Sequence, residues 1–290
     1  MSVPPSMPTP SDPPPHPPLM VPLTSSPLPS GERQGEGGED IGEGDLALCR
    51  SAMWEALALG FRVPTEETAA RLASPDGAGA LAAAAALLDV DQKTDLTARV
   101  LRLARRDGLD DLEDSFRRLF GHTARGTVPP YETEYGEDSL FLPAQEMGDL
   151  AAFYRAFGLT LNAAAHERLD HIACQCEFLL ILARKEAYAL ERDDAAMLEA
   201  TRGAVRLFLS DHLGRWAPAF GRKLAREDGN GFYGALGDLC HAVVVAECAR
   251  LGVAAGPELL RLRSPLPDDT PMACGPATEP AEVPRRCART

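Results

Sequence analysis

Basic residues are scarce in this chain: 29 Lys and Arg face 43 Asp and Glu, for a formal net charge of -14. A protein that grips nucleic acid needs a basic face to neutralise phosphates, so nucleic acid is not an expected partner. An acidic surface suits a basic partner, or serves solubility alone. No Lys or Arg precedes Arg33, and prolines interrupt the early apolar residues, so no secretory signal is expected. Long hydrophobic runs are lacking too. The longest, Gly77 to Leu88, is mostly alanine and far too short to span a bilayer. Cysteines number seven, an odd count without the spacing of a disulfide framework, which points to free thiols in a reducing compartment. A cytoplasmic protein without stable membrane insertion is the expectation. Glycine-rich phosphate loops, nucleophile elbows and zinc-type cysteine pairs are also missing, and with them most sequence support for catalysis.

Period-two alternation of β-branched residues is absent as well, whereas helical spacing is everywhere. Residues 1–44 and 267–290 are rich in Pro, Gly, Ser and charge and poor in aromatics, so both are expected to be disordered tails. Between them, 45–266 is expected to be a single all-α domain of roughly ten helices. Leu46, Cys49, Met53, Trp54, Leu57 and Phe61 form the first stripe, with Asp45 placed to cap it. Asp110 to Phe120 opens on acids, closes on Arg117 and Arg118, and stops at Gly121. Pro143 opens a helix that Gly158 ends, and Asp193 with Asp194 starts another. Trp216 to Ala225 is expected to be a short helix broken by Pro218. Gly231 to Leu251 closes the domain.

The most distinctive stretch lies between Val128 and Glu186. Pro129 and Pro130 fix two φ angles and favour extended geometry before each. In an extended segment Tyr131, Thr133 and Tyr135 share one side and Glu132 with Glu134 the other. Apolar bodies and acidic tips in one place suit a peptide with apolar and basic parts. A long helix follows, with Leu169, Ile172, Ala173, Cys176, Leu179, Leu180, Ala183 and Ala187 on one stripe. Asp170 and His171 stand at its start. They fit a groove wall, an acid–base pair, or simply a capping carboxylate beside a hydrogen-bonded ring. Neighbours on a helix do not face each other, which counts against the dyad.

Glu167, His171 and Cys174 share a helical face and would be three metal ligands only with help from another helix. His212, His241 and Glu247 are the loose candidates for that help, and the paired Glu-x-x-His pattern of di-iron bundles is absent. Phe208, His212 and Trp216 fall on one face, which reads as core packing.

Three stretches in this order resemble the TorD/DmsD (NarJ-like) family of redox-enzyme maturation chaperones. They are Pro-Pro-Tyr-Glu-Thr-Glu-Tyr from Pro129, Glu-Arg-Leu-Asp-His-Ile-Ala-Cys-Gln-Cys-Glu-Phe-Leu from Glu167, and Phe-Leu-Ser-Asp-His-Leu-Gly-Arg-Trp-Ala-Pro-Ala-Phe from Phe208. The resemblance covers roughly residues 45 to 262. In that family the Asp-His pair follows Glu-Pro-x. Here Glu167, Asp170 and His171 match, and Arg168 stands in place of the proline. The resemblance implies an all-α chaperone, not an enzyme, with no metal or cofactor of its own. Its implied partner is the apo form of a molybdenum-cofactor oxidoreductase, bound through a twin-arginine leader before cofactor insertion and export. Asp170, Glu132 and Glu134 would meet the arginines, Tyr131 and Tyr135 would lie along the apolar part, and His171 would line the groove. A NarJ-type chaperone of a non-exported nitrate-reductase-like subunit is the alternative within the family. A helical metal-dependent enzyme using His171 and His212 is the alternative of another class.

Overall fold

The computed structural model describes residues 18–22, 41–89, 94–104, 108–121, 125–138 and 142–264. The remaining parts of both expected tails lie outside the described residues. Ten α-helices account for most of what is described, as the helical spacing predicts: α1 Glu43–Gly60, α2 Glu66–Thr68, α3 Pro75–Leu88, α4 Leu96–Leu101 and α5 Leu109–Phe120 come first. They are followed by α6 Leu142–Ala156, α7 Ile172–Glu191, α8 Ala195–Asp211, α9 Leu213–Glu227 and α10 Phe232–Arg250. The π-helical turn Ala69–Ala73 continues α2.

Local chemistry sets most boundaries. Asp45 is not the N-cap of α1 but its third residue, where its carboxylate accepts the Gly42 N–H at 3.2 Å. Ser74 caps α3 through its hydroxyl, with Pro75 at the first helical position. Gly121, at φ 85°, stops α5 in a backbone region that glycine enters freely. Asp194 accepts the Met197 N–H at 2.9 Å and starts α8.

Helix α7 is the centre of the domain. From Ile172 to Leu180 every residue is buried, so this helix presents more than the single apolar stripe its spacing predicts. It packs along α1 on one side and meets α8 and α9 on others, while α9 pairs with α10. Phe178, Phe208, Tyr154 and Phe157 meet edge-on around it, and Phe61, Phe120, Phe220 and Tyr233 form a second aromatic group near α9 and α10. Helix α10 is long and apolar enough to cross a membrane by length and composition, but most of it is buried within the bundle.

Two features depart from the expected layout. Residues 18–22, inside the stretch assigned to a tail, include strand β1 (Met20–Pro22), antiparallel to β2 (Leu159–Leu161). Glu177 of α7 accepts the N–H groups of Leu19 at 3.0 Å and Met20 at 3.2 Å, and both apolar side chains are buried. Burial pushes the Glu177 carboxyl above its ordinary pKa, against the pull of those two N–H groups. Secondly, Pro218 does not break α9, which runs through it unbroken to Glu227. A proline at 218 cannot bond the carbonyl of Gly214, and that carbonyl instead accepts the N–H of Gly256 at 2.8 Å. The chain after α10 thereby supplies the bond the proline removes.

Candidate functional site: the Pro-Tyr segment and the start of α7

The Pro-Tyr segment is strapped on both edges. On one side the N–H of Glu132 bonds the Asp170 carbonyl at 3.0 Å, and the N–H of Ile172 bonds the Pro130 carbonyl at 2.9 Å. These two bonds make Tyr131 and His171 an antiparallel bridge pair. On the other side Gly136 N–H bonds the Arg261 carbonyl at 3.0 Å and Arg263 N–H bonds the Glu134 carbonyl at 2.9 Å. Arg263 also grips the Glu146 carboxylate through both terminal nitrogens, at 2.9 and 3.0 Å, and donates to the Thr133 and Glu137 carbonyls. Sequence reading did not single out Arg263 or Glu146. An arginine just before a polar tail carries no signal of a buried bidentate role.

The segment is not extended throughout. Tyr131 has extended backbone, but Glu132–Glu134 forms a 3-10 turn. The expected two-sided alternation is therefore replaced by a different distribution. Glu132 turns inward and is 4% exposed, Tyr135 is buried against Trp216 with ring centres 5.2 Å apart, and Tyr131 and Glu134 are partly exposed. Tyr135 donates its hydroxyl proton to the Pro129 carbonyl at 2.9 Å. Burial pushes the Tyr131 hydroxyl up to about 12. Glu134 pairs with Arg125 at 2.9 Å.

Asp170 precedes α7 and is fully buried. Its carboxylate accepts the Thr133 N–H at 3.2 Å and the Thr133 hydroxyl at 2.7 Å. Arg168 completes the set: Nε donates to Oδ1 at 3.0 Å and Nη2 to Oδ2 at 2.9 Å, the parallel fork of an arginine–carboxylate pair. The same Nη2 reaches the Thr133 hydroxyl oxygen at 2.7 Å. The guanidinium lies 4.3 Å from the Tyr131 ring centre, within cation–π range. Arg168 is therefore bonded into the candidate site, although it drew notice in the sequence only as a missing proline.

His171 caps α7, accepting the Ala173 N–H on Nδ1 at 3.1 Å. Burial first, then the positive charges of Arg168 and Arg62, hold its pKa down at about 3. The ring is neutral at pH 7, so its 3.8 Å approach to Glu167 is not an ion pair. Asp170 and His171 do not touch each other as acid and base. Among the described residues no group of three or more His, Cys, Asp or Glu side chains is gathered to hold a metal. Cys49, Cys174, Cys176, Cys240 and Cys248 are free thiols, while Cys274 and Cys287 lie outside the described residues.

Behind the segment lies a buried polar chain. Trp216 Nε1 donates to Gln175 Oε1 at 3.2 Å, Gln175 Nε2 donates to Glu132 Oε2 at 2.5 Å, and His212 Nδ1 is 3.1 Å from Glu132 Oε1. Burial raises the pKa of Glu132, while the His212 and Gln175 contacts pull the other way. The pattern Phe208, His212, Trp216 is core packing, as its spacing predicts, and it is also wired to the segment.

The nitrate reductase delta subunit family matches residues 78–222, half of the chain. The protein belongs to that family. Over 142 residues it is 32% identical to the chaperone protein TorD of Vibrio cholerae serotype O1, covering 48% of this chain and 62% of the relative. Against the selenate reductase assembly chaperone protein of Thauera selenatis identity is 33% over 154 residues, covering 45% of this chain and 78% of the relative. The TorD protein of Photobacterium profundum is 29% identical over 150 residues. The chain thus matches about three-fifths of the length of the Vibrio TorD relative.

Proposed function

We propose that this protein is a cytoplasmic chaperone, without catalytic activity, that binds the N-terminal twin-arginine leader of a molybdenum-cofactor oxidoreductase. It would hold the apoenzyme for cofactor insertion before export. One observation carries the reading: the Asp170–Tyr131 corner already holds a guanidinium, that of Arg168, between a carboxylate fork and an aromatic face. The Arg168 side chain is 45% exposed, whereas Asp170 and Thr133 are buried. A leader arginine presents the same planar fork and can exchange with it. Glu134, 27% exposed beside this corner, offers a second carboxylate that it now shares with Arg125. Glu132 and Tyr135 support the corner from inside, and His171 anchors it as the cap of α7.

The nitrate reductase delta subunit match motivates a second reading, assembly of a nitrate-reductase-like subunit; a non-exported client would present a bound segment without paired arginines. Co-purification from the native cell identifies the client. Titration with its N-terminal peptide then decides: twin-arginine peptide should bind about tenfold more tightly than its twin-lysine version, and Asp170→Asn should abolish that preference. Equal affinity for both peptides would exclude guanidinium recognition at this corner.

A further inference from the structure

Residues 18–22 are held on the helical domain in the manner of a bound peptide. Met20 to Pro22 pair antiparallel with β2. Asn162, next after β2, clasps the segment twice: its N–H donates to the Leu19 carbonyl at 2.6 Å, and its side-chain amide donates to the Pro18 carbonyl at 3.0 Å. From α7, Glu177 takes the N–H of Leu19 on Oε2 and that of Met20 on Oε1. A bend at Leu19 turns these two successive N–H groups toward one carboxylate. All of these bonds engage the main chain of the segment. Its side chains are gripped at two places: Leu19 and Met20 are buried in the core, whereas Pro18 is exposed and Val21 half-buried.

The seat has a chemical need of its own. Glu177 is 8% exposed, and without a strand above it the carboxylate loses both N–H donors, which is costly for a buried acceptor. The edge of β2 and the N–H of Asn162 lose their partners at the same time. The resident, by contrast, is slight. A strand of three residues against a single partner strand is marginal in water, so its hold comes from Glu177 and two apolar side chains. An adjacent pair of large apolar residues with free N–H groups on another chain would satisfy the same seat.

We propose that β2, Asn162 and Glu177 form a docking seat for an extended peptide from a partner, with residues 18–22 as its tethered and exchangeable occupant. The partner strand carries two adjacent large apolar residues, neither of them proline, and adds to β2 antiparallel as the resident does. Main-chain bonds give such strand addition its affinity, and the buried pair gives it selectivity. Proline at either position removes a donor that Glu177 requires, and an acidic side chain there would be buried beside its carboxylate. The seat shares no residue with the Asp170–Tyr131 corner and does not depend on the function proposed above.

The probe is a fluorescein-labelled peptide of residues 16–24, His-Pro-Pro-Leu-Met-Val-Pro-Leu-Thr, added to the full-length chain. In the wild type the tethered occupant competes at high effective concentration. Leu19→Asp with Met20→Asp in the protein empties the seat and should tighten peptide binding about tenfold or more. Methylating the peptide nitrogens of its Leu and Met, which removes both donors, should abolish binding. An unrelated peptide with an adjacent Leu-Leu pair in a Ser-Gly frame should displace the probe. Wild-type protein labelled with 13C-methyl methionine gives a readout that needs no emptied seat. Saturating peptide should move the Met20 signal, identified by its loss in Met20→Leu, to the position of an exposed methionine. Binding that leaves Met20 unmoved overturns the proposal, as does the absence of binding to either form at about 1 mM peptide. Undiminished binding of the methylated peptide rejects Glu177 as the reader of the strand and with it the seat. If the Leu-Leu peptide fails where the probe binds, the seat is a private anchor for this chain's own segment and the proposal falls. It falls equally if the wild type refuses both peptides and dimerises through Met20, since the occupant is then a second copy.

Discussion

The main-chain oxygen of Gly214, deprived of a helical partner by Pro218, accepts the N–H of Gly256 at 2.8 Å. This one bond joins the first turn of α9 to the coil that follows α10. That coil continues to Leu262, which pairs with Tyr135, and to Arg263, which holds Glu146 and Thr133. A proline in a buried helix is thus part of what seats the C-terminal coil against the candidate site.

Gly256→Ala tests this coupling. A Cβ at 256 would stand 2.1 Å from the Arg215 carbonyl oxygen, so the coil must lift and Gly214 loses its bond. Destabilisation of about 1–3 kcal/mol is expected from urea melts. In a Pro218→Ala background the helix can satisfy Gly214 itself, and the cost of Gly256→Ala should be smaller. Additive effects would show that proline and glycine are unrelated.

How far was this arrangement legible? Helix positions were, because apolar spacing, Gly121, Pro143 and Asp194 act locally and tertiary packing agreed with them. Pro218 misled because its cost depends on whether Gly214 finds another donor, and that donor lies 42 residues away in sequence. The Glu132–Glu134 turn misled for a related reason. Two prolines favour extended backbone only up to Tyr131, after which Asp170 captures the Thr133 N–H and hydroxyl and turns the chain. Strand β1 was hidden by composition, since Leu19, Met20 and Val21 are a few apolar residues in a proline-rich stretch, fixed by Glu177 of a distant helix. The site residues that were named do lie together, but Arg168, Arg263 and Gln175 could be recognised only from the partners that folding brings to them.

Truncation should reveal the anchored strand. A chain of residues 18–266 should melt higher than one of 45–266, because Leu19 and Met20 leave their buried positions in the shorter form. Burial of the two side chains is offset by the entropy of ordering the segment, so a net loss of roughly 1–3 kcal/mol is expected. Identical melts would mean that β1 adds nothing to stability.

Acid sensitivity follows from His171. Its folded pKa, about 3, lies below the ordinary 6.5, so the unfolded chain takes up the proton first as pH falls. The stability contributed by the neutral ring is full above pH 6.5 and declines toward pH 3, by about 1.4 kcal/mol per pH unit at most. Glu132, Glu167 and Glu177, with raised pKa values, act in the opposite sense near and above pH 4.5, whereas the lowered His241 acts in the same sense as His171, so the whole-protein slope is a sum over several groups. Comparison with His171→Asn isolates the histidine, since Asn keeps a cap acceptor but does not titrate. Its stability should fall less steeply between pH 6.5 and 4.5, and the wild-type His171 ring should show no NMR titration in that range. A titration midpoint near 6.5 would contradict the buried neutral cap.

Arg168→Ala separates occupancy from structure at the guanidinium corner. Asp170 has no exposure and keeps the Thr133 N–H and hydroxyl, but it loses the fork that balances its charge. Because Arg168 is half in solvent, the loss should be below that of a fully buried pair, at about 1–3 kcal/mol in the free protein. Binding should move the other way. With no resident guanidinium to displace, a twin-arginine peptide should bind about fivefold more tightly, close to 1 kcal/mol, and should raise the melting temperature more than it does for wild type. Arg168→Lys should fall between, since an ammonium can hold the charge but not both carboxylate oxygens in parallel. Added salt should weaken peptide binding to each form. A variant that is both less stable and weaker in binding would show that Arg168 belongs to the peptide's own contact surface, and exchange at Asp170 would have to be abandoned.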